Sequence, residues 1–137
     1  MPRFTLSTAA AALILGAWTL PGLAVTPLTP RLADTTHAAL LAALTQQGLP
    51  EVAQHSVVIA LTAALGFEPK ANTFTYEPPA RHLPKVDVRA EPAAAGCARV
   101  DARVALVATR LRVRGTYCLV GAAEWRSGDQ AVTEVGR

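Results

Sequence analysis

A chain of 137 residues with 13 basic and 10 acidic side chains, 5% aromatic content and two cysteines leaves room for one domain with a small core that gains from a covalent staple. Two cysteines without a Cys-x-x-Cys spacing or a third ligand nearby exclude a zinc site of the usual kind. The charge is uneven: Val25–Ala80 nets −2, Arg81–Arg114 carries eight basic residues against three acids and nets +5, and Gly115–Arg137 nets −1. An electrostatic partner therefore meets the C-terminal half, and the competing explanation is a solvated strand face with no partner at all.

The N-terminus has the order of an export signal. Arg3 is followed by the apolar run Ala9–Leu20, a Pro21-Gly22 break and the small residues Gly22 and Ala24, which predicts a signal peptide over residues 1–24 and cleavage after Ala24. The alternative is a retained anchor, because Phe4–Val25 could just span a bilayer if tilted. No lipobox cysteine is present, and no later run approaches the about 20 apolar residues of a spanning helix. The expected mature part, 25–137, is one domain, periplasmic or secreted.

Val25–Pro30 is an extended leader, since each proline restricts the residue before it. A helix follows, with either Thr29 as N-cap and Pro30 at the first helical position or Asp34 capping a later start. Leu32, Leu40, Leu41 and Leu44 recur at helical spacing until Gly48 stops the helix. Leu49-Pro50-Glu51 begins a second helix that runs through Val52, Val58, Ile59, Leu61 and Leu65 to Gly66. The β-branched triplet Val57-Val58-Ile59 leaves a strand open there, but the alanines and the Pro and Gly boundaries favour helix. So short a link predicts an antiparallel helical hairpin over about 30–66.

Beyond Gly66 the period changes to two. Phe74 and Tyr76 alternate with Thr73, Thr75 and Glu77, and Val86, Val88 and Ala90 alternate with charged residues in Lys85–Glu91. Pro92–Gly96 is a turn. In Cys97–Ala108 the even positions are apolar, which sets Cys97 on the polar face with Arg99, Asp101 and Arg103. In Leu111–Val120 the odd positions are apolar, which sets Cys118 on the same face with Arg112, Arg114 and Thr116. Pairing Cys97 with Cys118 puts Val104 opposite Leu111, Ala102 opposite Val113 and Asp101 opposite Arg114, so one register makes a disulfide and matches both apolar faces. That register leaves Val107 and Ala108 at the tip, neither suited to φ > 0, so a longer loop with a bulge near Ala105–Arg110 is expected. Such a bulge would separate Arg103 from Arg112. The expected fold class is α+β: a helical hairpin packed on a small antiparallel sheet of about four strands over about 72–126, with one disulfide.

The run Cys97, then Gly115-Thr116-Tyr117-Cys118, then Trp125-Arg126 resembles the C-terminal β-domain of the bacterial 17 kDa surface-antigen family. The likeness covers Cys97 to Arg126. Family members usually carry a lipobox cysteine and a glycine zipper, and neither occurs here; Leu119 stands where the family tends to have Arg, and Gly121-Ala122-Ala123-Glu124 replaces a Pro-Asp-Gly turn. The resemblance implies a small envelope β-domain with paired Cys97 and Cys118, and no active site.

No nucleophile, metal or cofactor motif stands out. His37, His55 and His82 are not spaced for a shared ligand, and His55-Ser56 are neighbours that point about 100° apart on a helix. No Gly-rich phosphate loop, zinc spacing or EF-hand loop is present, so no cofactor is expected. Arginines with few interleaved aromatics on an exported chain make nucleic acid an improbable partner. The expected function is a non-enzymatic envelope or binding protein that contacts anionic envelope components through Arg99, Arg103, Arg112 and Arg114. The alternative is an inhibitor or accessory subunit docking on an exported enzyme or secretion apparatus. Only Asp101 is expected to neutralise charge on that face.

Overall fold

The structure is a computed structural model that describes residues 28–136; the expected signal peptide lies outside these residues. The chain runs β1 (Arg31–Leu32), α1 (Asp34–Gln46), α2 (Glu51–Leu65), β2 (Asn72–Tyr76), β3 (Lys85–Pro92), β4 (Cys97–Ala105), β5 (Arg110–Gly121), β6 (Glu124–Arg126) and β7 (Ala131–Gly136). The strands form one curled, half-barrel sheet in the order β1-β6-β5-β4-β3-β2, with β7 also paired to β5. β2 through β5 are antiparallel neighbours, whereas β1 lies parallel to β6, with Arg31 beside Glu124 and Leu32 beside Trp125.

The expected helical hairpin on a small antiparallel sheet is therefore overturned. The sheet is mixed and seven-stranded, extends past residue 126, and forms most of the molecule. The helices share little contact: α2 lies over β2 and β3, and α1 against β6 and β7. The reason is the width of the apolar surfaces. α1 buries only Thr36, Leu40 and Leu44, too narrow a stripe to cover α2, while Val86, Val88, Val100, Val104, Leu111 and Val113 make a continuous apolar sheet face that both helices can bury. The alanines of α2 on that face, Ala53, Ala60 and Ala64, let its backbone approach the sheet closely.

Local signals near the helices hold with one shift. Residues 31–32 are strand and α1 starts at Asp34 with Ala33 as N-cap, so neither Thr29 nor Asp34 caps it; Asp34 sits in the first turn, where its charge suits the dipole. Gly48 does end α1, at φ 82°, with Leu49 N–H donating to Leu44 C=O (3.0 Å) and Gly48 N–H to Thr45 C=O (2.9 Å). This is a Schellman closure, with Leu49 buried beside Leu44. The side chain of Gln54 braces the link, its amide donating to Leu49 C=O (2.8 Å) and Thr45 Oγ1 (2.9 Å).

β6 and β7 share one edge of the long strand β5. β6 pairs with Cys118–Gly121 and β7 with Arg110–Arg114, while Ser127–Gln130 detours between them. The detour crosses Gly115, where an added Cβ would come within 2.9 Å of the Gln130 Cα, so glycine is required by a close backbone approach. Several of its polar groups are engaged with neighbours. Gln130 Nε2 donates to Thr36 C=O (2.8 Å), Tyr117 Oη donates to Gln130 Oε1 (2.7 Å), and Ser127 N–H donates to Thr36 Oγ1 (3.0 Å). Trp125, fully buried, donates its Nε1–H to the Gly66 carbonyl at the end of α2 (2.9 Å). Among the described residues no helix is long and apolar enough to cross a membrane.

Candidate functional site

The cysteine hairpin has the register that the alternation predicts: Cys97 opposite Cys118, Asp101 opposite Arg114, Ala102 opposite Val113 and Val104 opposite Leu111. Cys97 and Cys118 form a disulfide with Cα atoms 4.0 Å apart. Cys97 spends its N–H on Ala94 and its C=O on Ala93, so the pair exchanges no ladder hydrogen bonds and sits where cross-strand side chains approach most closely. The expected bulge does not form. Ala105 still pairs with Arg110, and the hairpin closes on a Leu106 N–H to Thr109 C=O bond (3.0 Å) with Val107 and Ala108 at its tip. Neither tip residue takes a positive φ, and Arg103 stays directly opposite Arg112.

Arg99, Arg103, Arg112 and Arg114 all project from the sheet face that carries no helix. The structure divides them between two depressions. Arg99 and Arg114 line a groove of about 500 Å³, and Arg103 and Arg112 line another of about 390 Å³ nearer the hairpin tip. Between the two lies the Asp101–Arg112 pair, with Arg112 Nε and Nη2 donating to the two carboxylate oxygens at 2.9 and 2.6 Å. Asp101 faces Arg114 across the ladder but bonds the diagonal Arg112, because a forked guanidinium reaches both oxygens from there.

Sequence reasoning missed the contribution of β3. Its polar residues join the same face, with Asp87 opposite Arg103, Arg89 opposite Asp101 and Glu91 opposite Arg99, so Asp101 is not the sole acid there. The alternation in Lys85–Glu91 was a sufficient signal for the parity, but the β3–β4 register was not in it. Counting β3 to β5, Lys85, Arg89, Arg99, Arg103, Arg110, Arg112 and Arg114 stand against Asp87, Glu91 and Asp101, a net charge of +4 on the open face. Asp129, from the detour, also reaches the larger groove. His37 lies on α1, His55 on α2 and His82 in the loop before β3. Among the described residues, no group of three His, Cys, Asp or Glu side chains gathers as a metal site would.

Two carboxyls on this side are held below the usual carboxylate range. The hydrogen bond from Arg112 lowers Asp101, and the Thr116 N–H, at 2.8 Å, lowers Asp129. Each contributes stability that is present above the ordinary carboxylate pKa of about 4 and is lost as pH falls through its lower folded value. Burial, with the Asp129 charge nearby, pushes the Tyr117 hydroxyl up, so its contribution is complete below about pH 10 and is lost as pH rises beyond it. The melting temperature should therefore fall on both sides of this window, with Asp129→Asn flattening the acid limb and Tyr117→Phe the alkaline limb. Unchanged limbs in these variants would refute the assignment.

Comparison with known protein families, curated protein sequences and solved structures finds no match to this chain.

Proposed function

We propose that this protein is a non-enzymatic binding protein of the bacterial envelope, periplasmic or secreted, whose open sheet face contacts anionic envelope components. The observation that carries the reading is the +4 charge of the β3–β5 face, presented on paired strands with a disulfide at one end and left uncovered by either helix. Charges held on a paired sheet lose little conformational freedom when a polyanion binds, which lowers the ordering cost of the complex. The disulfide also suits an oxidising compartment, in keeping with the export signal read at the N-terminus. The resemblance of Cys97–Arg126 to the surface-antigen β-domain points to the same compartment.

Binding to anionic phospholipid vesicles and to lipopolysaccharide should weaken steeply as salt is raised, since exposed charges are screened within about 10 Å at 0.1 M. Arg103→Gln with Arg114→Gln removes one exposed cation from each depression without setting a carboxylate opposite Asp87 or Asp101, and should reduce binding at low salt about tenfold, on the order of 1.4 kcal/mol. Arg112 is left in place, because its guanidinium holds Asp101 at 2.6 Å. The double variant should keep its melting temperature, since exposed charges alter stability little. A wild-type protein with no salt-dependent binding to vesicles, lipopolysaccharide or peptidoglycan would reduce the face to a solvated surface.

A further inference from the structure

The two depressions differ in net charge. The larger is balanced: Arg89, Arg99 and Arg114 meet Glu91, Asp101 and Asp129 around it. The smaller carries Lys85, Arg103, Arg110 and Arg112 against Asp87 as its one lining acid. Its cations are unevenly committed. Arg112 turns to Asp101, and Lys85 reaches Glu77 only at 3.9 Å with both side chains at least half exposed, which makes a weak pair. Asp87 accepts a hydrogen bond from Thr75 Oγ1 at 2.7 Å. Arg103 and Arg110 are in no ion pair within 4.0 Å among the described residues.

The backbone forces these cations together. Arg103 and Arg112 are direct cross-strand partners, and Arg110 follows two residues along the same face, opposite Ala105. By alternation from the Leu106–Thr109 ladder bond, both positions are non-hydrogen-bonded pairs, where side chains lie closest. Like charges directly opposite are unfavourable in a sheet, and the regular hairpin keeps them there without a bulge to part them. An anion seated between them turns that repulsion into charge-assisted hydrogen bonding.

We infer that the groove at the hairpin-tip end of the open face, edged by Lys85, Arg103 and Arg110, binds a tetrahedral oxyanion, a phosphoryl or sulfuryl group. Ala105 and the exposed Val135 on its rim leave room for an apolar substituent on that group, as in a phosphate monoester. This rests on the reading of the open face as an anion-binding surface and adds where the charge is taken and by which residues.

The test is a titration of the intact ¹⁵N-labelled protein with inorganic phosphate, glycerol phosphate and dihexanoyl phosphatidic acid below its micellar concentration, following the arginine Nε–H resonances. Arg103 and Arg110 should shift saturably. Arg103→Gln and Arg110→Gln should each weaken binding about tenfold, as expected for loss of a charged hydrogen bond, while Lys70→Gln, beside Gly66 beyond α2, changes it less than about twofold. Tighter binding of the lipid phosphate than of inorganic phosphate identifies a headgroup as the source, and equal binding identifies a free phosphate; both support the site. Shifts confined to Arg99 and Arg114, or affinity unaffected by the Arg103 and Arg110 variants, overturn it. Salt-dependent vesicle binding that survives in those variants also overturns this site while leaving the proposed function standing, whereas a wild type that binds neither phosphates nor vesicles removes both.

Discussion

Trp125→Ala should cost about 3–5 kcal/mol in urea unfolding followed by circular dichroism, the largest loss expected from any single substitution here. The indole is fully buried in the common core, and its Nε1–H holds the carbonyl of Gly66 at 2.9 Å. Truncation opens a cavity of indole size and leaves that carbonyl without its partner at the point where α2 ends and the chain turns toward β2. Trp125→Phe separates the two causes. It retains most of the packing and should cost about 1–3 kcal/mol, the range for an orphaned buried polar group. A Trp125→Ala loss below about 1 kcal/mol would show that β6 is not integral to the core, against the pairing of Trp125 with Leu32 and Leu119.

Removing the disulfide should be the next most damaging change. Cys97 and Cys118 are 21 residues apart in sequence. Closing a loop of this length restricts the unfolded chain by about 3 kcal/mol in the chain-entropy treatment, a large part of the 5–15 kcal/mol typical of a small domain. Cys97→Ser and Cys118→Ser should lower the melting temperature by similar amounts, on the order of 15 °C. Reduction of the wild type should reproduce that shift, and thiol titration of the oxidised native protein should find none free. Because nine residue pairs already join β4 and β5, the variants should still fold at low temperature. Two titratable thiols in the native protein, or a shift of only a few degrees, would refute this account.

The destabilised variants also bear on function. If the bridge matters to the open face, its loss should weaken anion binding at temperatures where the hairpin remains folded, through greater freedom of the strands that carry Arg99, Arg103 and Arg114. The tip-end cations lie far along the ladder from the bridge, with Ala105–Arg110 at the opposite end of the paired segment from Cys97–Cys118. The effect of the bridge should therefore be smaller at Arg110 than at Arg99.

What the sequence determined by itself was local in origin. Side-chain parity in Cys97–Ala105 and Arg110–Val120 follows from the period of two, and one register satisfies both apolar faces and the cysteines, so the disulfide and its pairing were legible without coordinates. The end of α1 was legible for the same reason, since Gly48 provides a positive φ within a few residues of the helix it stops. The four arginines could be assigned to one face on parity alone. Tertiary structure decided which surfaces meet. Nothing in two residues, Arg31-Leu32, encodes a parallel pairing with Glu124-Trp125 more than ninety positions away, and the alternation of β3 is equally compatible with several registers against β4. The helices packed on the sheet and not on each other because the sheet offered the larger apolar area, a comparison between distant segments that no local window contains. That choice left the opposite face of the sheet open, and the β3–β4 register then paired acids with some arginines and left Arg103 and Arg110 beside a groove with a single lining acid, Asp87.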